Sequence, residues 1–280
     1  MKKRKSEIRN IIVISDTHCG CQLGLMPPQV PLDNGLTVMQ SALQKKMWAM
    51  WLEFWNKWVP EVTQGEPFIL VHNGDAIDGV HHNSTTQISH NLTDQKRIAE
   101  MVLAPQIKKA ARYFHIRGTE AHVGQSGADE EELAGTLKAI PDQLGNHARW
   151  DLWLRLRGAL VHFTHHIGTT SSAAYESTAV WKEMAEAYNE AGRWNDEPPD
   201  VVVRSHRHRQ FETRIATNKG YGISLVTPAW QLKTPFVWRG TLGRTGTPQL
   251  GGYLIRAGSE DHVFTRFKVW KIERTPEVKA

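Results

Sequence analysis

The stretch Asn10-Ile11-Ile12-Val13-Ile14-Ser15-Asp16-Thr17-His18 joins a short β-branched run to an acid and an imidazole. Ile11 to Ile14 has the length and composition of a buried strand, not of a helix. The same arrangement recurs four times downstream. Residues 67–72 lead into Asn73-Gly74-Asp75, and residues 113–117 into Gly118-Thr119-Glu120-Ala121-His122. Residues 159–164 lead into His165-His166, and residues 200–204 into Ser205-His206-Arg207-His208. Each of the five expected strands delivers an Asp, Glu or His just past its carboxyl end. In an open α/β sheet those ends gather on one rim, where ligands bind. Any one pair is an ordinary turn or cap, but the repetition in one register favours a metal site.

Four amphipathic stretches, 37–58, 94–111, 129–139 and 173–191, read as helices between the strands. Trp48, Trp51, Trp55 and Trp58 recur at three- and four-residue spacing on the first of them, as a buried stripe would. From about residue 210 the texture changes to strands joined by turns (211–216, 222–227, 252–256 and 262–272), with no helix among them. A second sheet packed on the first is the expectation. No linker, repeat or low-complexity tract divides the 280 residues, so they read as one domain, 1–280, with a β-rich part from about 210.

Composition removes several classes. The hydrophobic share of 40% and charged share of 22% fit a folded chain and not a disordered one. No apolar run approaches the roughly 20 residues that span a bilayer. The basic start, Lys2-Lys3-Arg4-Lys5, is followed by too short an apolar run for a signal peptide. Cys19 and Cys21 are read as reduced thiols, since two cysteines make no disulfide framework and Cys-x-Cys alone is a weak zinc signal. A cytoplasmic protein is expected. The formal charge of +5 suits polyanionic partners without requiring them. Residues 240–252 lack the Lys-Ser/Thr ending of a phosphate-binding loop.

The ordered set resembles the calcineurin-like metallophosphoesterase family, whose pattern is Asp-x-His, Gly-Asp, Gly-Asn-His-Asp/Glu, a lone His and Gly-His-x-His. The resemblance covers residues 10–210. It implies an α/β fold, a two-sheet sandwich flanked by helices in four layers (α/β/β/α), with the β-rich tail as the second sheet. It also implies that Asp16, His18 and His208 hold one metal, that Asp75 bridges two, and that His206 and His165 hold the second. His166 competes with His165, and Ser205 stands in a glycine position. The third motif departs from the family. It has no Asn, Thr119 falls in that slot and a hydroxyl is a poor ligand, so Glu120 or a shifted loop is the expected oxygen donor, and His122 the displaced histidine near the leaving group.

Mixed imidazole and carboxylate donors suit two divalent transition-metal ions, manganese first, with iron, zinc or nickel as alternatives. Two such ions about 3.5–4 Å apart would generate a bridging hydroxide near neutral pH and stabilise in-line attack on phosphorus. The expected activity is therefore that of a dinuclear phosphoesterase, a phosphodiesterase ahead of a phosphomonoesterase, with nucleic acid as a candidate substrate. His122 would pass a proton to the leaving group, and Arg207, beside Arg204 and Arg209, would bind substrate phosphate. Asp78, His81, His82 and His90 could orient the metal ligands or touch substrate. A non-catalytic scaffold of the same fold, suggested by the missing Asn, is the remaining alternative.

Overall fold

Ile11 and Val13 face one side of their strand and Ile12 and Ile14 the other, and all four are buried. The architecture follows from that division, because a strand covered on both faces needs a layer on each side. The computed structural model describes residues 7–81, 83–168, 173–240, 246–258, 262–273 and 277–278.

The chain runs through β1 (Asn10–Ile14), a small hairpin of β2 (Gln29–Pro31) and β3 (Thr37–Met39), and α1 (Ala42–Glu53). A π-helical turn (Phe54–Trp58) and α2 (Val59–Thr63) lead to β4 (Phe68–Asn73), α3 (Leu92–Ile107) and β5 (Arg112–Ile116). Then come α4 (Glu120–Val123), α5 (Ala128–Thr136), β6 (Ala148–Arg149), β7 (Leu152–Leu156), β8 (Ala159–Phe163) and α6 (Glu176–Trp194). The last part holds β9 (Val201–Arg204), β10 (Phe211–Thr217), β11 (Gly220–Val226), α7 (Pro235–Gly240), β12 (Leu250–Ala257) and β13 (Val263–Trp270).

Two mixed sheets result. One has the order β13-β12-β1-β4-β5-β6, the other β10-β11-β9-β8-β7. In the first, β1, β4, β5 and β6 are parallel and β12 and β13 antiparallel. Ile11, Val13, Val71 and Phe114 meet Val161, Phe163, Val203 and Leu225 in a core between the sheets. Ile12, Ile14 and Leu70 pack on Trp51, Phe54, Trp55, Ile98 and Val102 in the helical layer outside the first sheet. α6 lies against β9, β10 and β11. This is the α/β/β/α sandwich expected from the sequence.

The strand assignment differs in two ways. The five ligand-bearing strands do not form one sheet: β1, β4 and β5 lie in the first, β8 and β9 in the second. The β-rich tail is also divided. β10 and β11 extend the second sheet beside β9, whereas β12 and β13 return to the first beside β1. Periodicity reports which face of a strand is apolar, but not which sheet receives it. A short helix, α7, also interrupts the tail. The first helix starts at Ala42 and not at residue 37, because Ser41 and Gln44 form a reciprocal cap, with Gln44 N donating to Ser41 Oγ and Ser41 N to Gln44 Oε1. Of the tryptophan stripe, Trp51 and Trp55 are fully buried and Trp48 and Trp58 partly so. Residues 241–245 of the glycine-bounded loop lie outside the described residues.

Trp51 packs edge-on against both Trp55 and Trp230, at centroid distances of 5.5 and 4.9 Å. Replacing Trp51 by Ala is expected to cost about 3–5 kcal/mol of stability, as for other buried aromatic truncations. Urea denaturation followed by circular dichroism measures it, with Leu144→Ala, 88% exposed, expected within about 0.5 kcal/mol of the parent.

Candidate metal centre

The backbone hydrogen bonding of β1 with β4 continues past both strands: Asp16 N donates to Gly74 O (2.9 Å) and His18 N to Asp75 O (3.1 Å). The turns so made force unusual conformations. Asp16, His18, Asp75, His206 and His208 all have positive φ, between 40° and 72°, and they are five of the eleven described non-glycine residues that do. Such strain persists where the surroundings impose it, and functional sites are its usual location. The packing is equally tight. A Cβ on Gly118 would lie 2.0 Å from Asp75 Oδ1, and one on Gly74 would lie 2.3 Å from His165 Nδ1.

Two groups of donors form there. In the first, His208 Nε2 lies 3.2 Å from both His18 Nε2 and Asp16 Oδ1, which is itself 4.0 Å from His18 Nε2. In the second, Asp75 Oδ2 lies 3.0 Å from His165 Nε2, and His206 joins them. The Thr119 hydroxyl sits inside this second group, 3.2 Å from Asp75 Oδ2, 3.3 Å from His165 Nε2 and 3.0 Å from His206 Nδ1. The groups adjoin, with His165 Nε2 3.9 Å from Asp16 Oδ1.

These spacings fit divalent ions. Bonds of about 2.1 Å set neighbouring donors roughly 3.0 Å apart in an octahedron and roughly 3.4 Å apart in a tetrahedron. Among the described residues, Asp16 Oδ1 is buried without a hydrogen-bond donor, as a ligand oxygen would be. The electrostatics agree. Among the described residues, the ion-pair partners of Asp16, Asp75 and Asp78 are all imidazoles. Burial opposes the charge on Asp16, yet His165 and His208 hold its carboxyl below the ordinary range. Burial likewise opposes a charge on His165, but Asp75 and Asp16 raise its ring to about 10. Burial and the neighbouring His165 push His206 down to about 4. The pocket of buried carboxyls draws positive charge toward itself.

Partners outside the groups fix the ring orientations. Asp78 Oδ1 faces His18 Nδ1 at 3.3 Å, and Gln231 Nε2 and Gln87 Nε2 donate to the two Asp78 oxygens. His165 Nδ1 donates to Asn73 O (2.7 Å), and His122 Nδ1 to Asp78 O (2.6 Å). The hydrogen bonds of His165 and His122 set the tautomer and aim the other nitrogen. Behind them, the fully buried Glu130 accepts from Ala76 N (2.7 Å) with Oε1 and from Gly118 N (2.6 Å) with Oε2. One side chain thus clamps the loop after β4 to the loop after β5.

Not every expected residue arrives. Glu120 is exposed at the start of α4 and belongs to neither group, so the oxygen in the Asn slot is that of Thr119. His166 is exposed, its ring 5.2 Å from that of His206, and His165 is the one inside. Arg204 points away, paired with Glu183 on α6 (2.8 Å). Arg207 and Arg209 line a cavity of about 440 Å³ together with His18, Asp75, His122 and His206. Arg209 pairs with Glu176 (2.6 Å), and Arg207 donates to Gly168 O through Nη2, while its buried Nη1 has no hydrogen-bond partner among the described residues. His81 approaches Asp78 at 3.8 Å, His90 is exposed, and His82 lies outside the described residues. Cys19 and Cys21 are buried free thiols, each pushed up to about 12 by burial, and enter no donor group. Glu130 was not anticipated as part of the site, and the fully buried Ser205 was read only as a change from glycine that should fit. Glu130 lies in the first turn of α5, and its long-range partners leave no local signal in the sequence.

No protein-family model matches the chain, and no curated protein matches it. Solved structures do. A conserved Streptococcus pneumoniae protein described as a predicted phosphoesterase is 11% identical, with 94% of this chain and 98% of that one covered and a TM-score of 0.36. Vps29 of Chaetomium thermophilum is 10% identical over 94% and 98% of the two chains, with a TM-score of 0.41. The sulfate thiohydrolase SoxB of Thermus thermophilus is 12% identical, also at 0.41, over 96% of this chain and 57% of its own. The fold itself rests on the chain's own two mixed sheets and the helices packed outside them.

Truncating Glu130 to Ala leaves two buried amide donors unpaired, each costing about 1–3 kcal/mol. The variant is expected to lose about 2–6 kcal/mol in urea denaturation, and Glu130→Gln, which keeps one acceptor oxygen, roughly half of that.

Proposed function

We propose that the protein is a metal-dependent phosphoesterase that hydrolyses phosphodiesters, with nucleic acid among its candidate substrates. The observation that carries this reading is the pair of adjoining donor groups beside a cavity that Arg207 also lines. Asp16, His18 and His208 would hold one divalent ion, and Asp75, His165 and His206 a second, with Asp75 between them. When bound, such a pair supplies Lewis acidity for the phosphoryl group and for the attacking water.

The chain's own side chains do the rest. The Asn73 carbonyl orients His165 through Nδ1, so that it presents Nε2 to the site, and the Asp78 carboxylate lies 3.3 Å from His18 Nδ1, on the far side of that ring from the donor group. Arg207 keeps one guanidinium nitrogen on Gly168 O and lines the cavity, where its charge would meet a substrate phosphate. His122 lines the cavity with Nδ1 committed to the Asp78 carbonyl, so a proton for the leaving oxygen would travel on Nε2. Burial lowers His122 to about 4 although Asp75 favours its charged form. The ring therefore rests neutral at pH 7 and must gain that proton during turnover. Manganese as the ion and the cytoplasm as the location belong to the same proposal. The scaffold alternative arose from the missing Asn, and the Thr119 hydroxyl within the second group supports the catalytic reading instead.

Manganese-dependent hydrolysis of bis-p-nitrophenyl phosphate, run beside p-nitrophenyl phosphate, tests the proposal. The diester is expected to turn over faster. Asp75→Asn should abolish at least about 100-fold of that activity, beyond the 10–100-fold that loss of a ligand's outer partner costs. Faster turnover of the monoester would make the protein a phosphatase, and no turnover with any of several metals would favour the scaffold. His122→Ala is expected to slow alkyl diesters, which have poor leaving groups, more than aryl diesters. An equal loss on both would remove His122 from proton transfer to the leaving oxygen.

A further inference from the structure

Thr119 breaks the symmetry of the centre. The first donor group owns a carboxylate, Asp16, alongside two imidazoles. The second has two imidazoles, His165 and His206, and must share Asp75, so its remaining oxygen comes from a neutral hydroxyl. Hydroxyls donate more weakly to divalent cations than carboxylates or amide oxygens do, and affinity follows ligand charge and number. The placement of this hydroxyl is nonetheless enforced. Thr119 N donates to Asp75 Oδ1 (2.6 Å), and Gly118 N is held by Glu130. The backbone at Thr119 is extended (φ −72°, ψ 134°), which any residue can adopt.

We propose that Thr119 is a ligand of the second ion, and that its weak donor makes that ion bind much more loosely than the first. The protein then holds one ion tightly at Asp16, His18 and His208 and fills the second position only as divalent cation becomes abundant. This inference rests on the metal-dependent reading above, and it makes the two-ion state responsive to cation concentration.

Manganese binding to the whole protein, without substrate, tests it. Calorimetric titration with Mn²⁺ is expected to resolve two steps at least about 10-fold apart in affinity. Electron paramagnetic resonance should follow them, a six-line mononuclear signal giving way to a spin-coupled pair as the second ion enters. Thr119→Val keeps the shape and the backbone N–H but lacks the oxygen, and should weaken the second step by at least about 10-fold while leaving the first unchanged. Thr119→Asn, which needs no unusual backbone, should tighten the second step and draw the two together. Two steps of wild-type affinity in the Val variant, or an unchanged second step in the Asn variant, would overturn the role of Thr119. Failure of the wild-type protein to bind manganese at all would instead overturn the metal-dependent reading and this inference with it.

Discussion

The two sheets are joined at their carboxyl edge by a chain of buried polar side chains, and the site depends on it. Ser15 Oγ donates to Asp16 Oδ2 (2.5 Å) and lies 2.6 Å from Thr227 Oγ1, which is 2.7 Å from Ser205 Oγ. Asn73 Nδ2 donates both to Ser205 Oγ (2.7 Å) and to the Thr164 carbonyl (3.0 Å). These residues follow β1, β8, β9 and β11 or end β4, so the chain spans both sheets beneath the donor groups. Buried hydroxyls and amides are costly unless satisfied, so these bonds restrict how the two sheets can sit, although Asn73 Oδ1 has no partner among the described residues. Two sheets packed only through Val, Ile and Phe could slide by a fraction of a residue at small cost. A slide of that size would separate His206 and His208 from Asp16 and Asp75.

This constraint also explains what could be read from the sequence. Asp16, His18, Asp75, His206 and His208 were legible as candidates because each follows a recognisable strand at a short offset, whereas the choice between His165 and His166 stayed open. The resemblance supplied their grouping, which needed no knowledge of which sheet held which strand, since both sheets present carboxyl ends to the same rim. The sheet assignment itself was not legible, because β12 and β13 have the texture of any antiparallel pair and only packing sends them back beside β1. Ser205 read as a tolerated change from glycine, whereas its hydroxyl is a link between the sheets.

The third motif shows the limit most clearly. Glu120 is the better ligand by residue type, whereas position in the motif points to Thr119, and the sequence does not decide between the two. The choice is made instead by the backbone. Glu130 holds Gly118 N and Asp75 holds Thr119 N, so residue 119 faces the imidazoles, and residue 120 begins α4 on the solvent side. Glu130 lies twelve residues from Gly118 and fifty-four from Ala76, and a contact of that range leaves no pattern in either segment.

The strained turns give the same conclusion an energetic form. A non-glycine residue in the left-handed region costs on the order of 1–3 kcal/mol, aspartate being among the more tolerant. Five such residues at one rim amount to a sizeable share of the roughly 5–15 kcal/mol that separates a folded domain from its unfolded chain. The turns hold because the surrounding parts offset them: the apolar core between the sheets, the tryptophan-rich layer behind β1, the Glu130 clamp and the hydroxyl chain. Ligands that bind only the folded state add stability by mass action. Bound cations at a rim whose five left-handed residues are all Asp or His would therefore add to the fold's stability, and the fold's remaining stability is what keeps those donors assembled before a cation arrives.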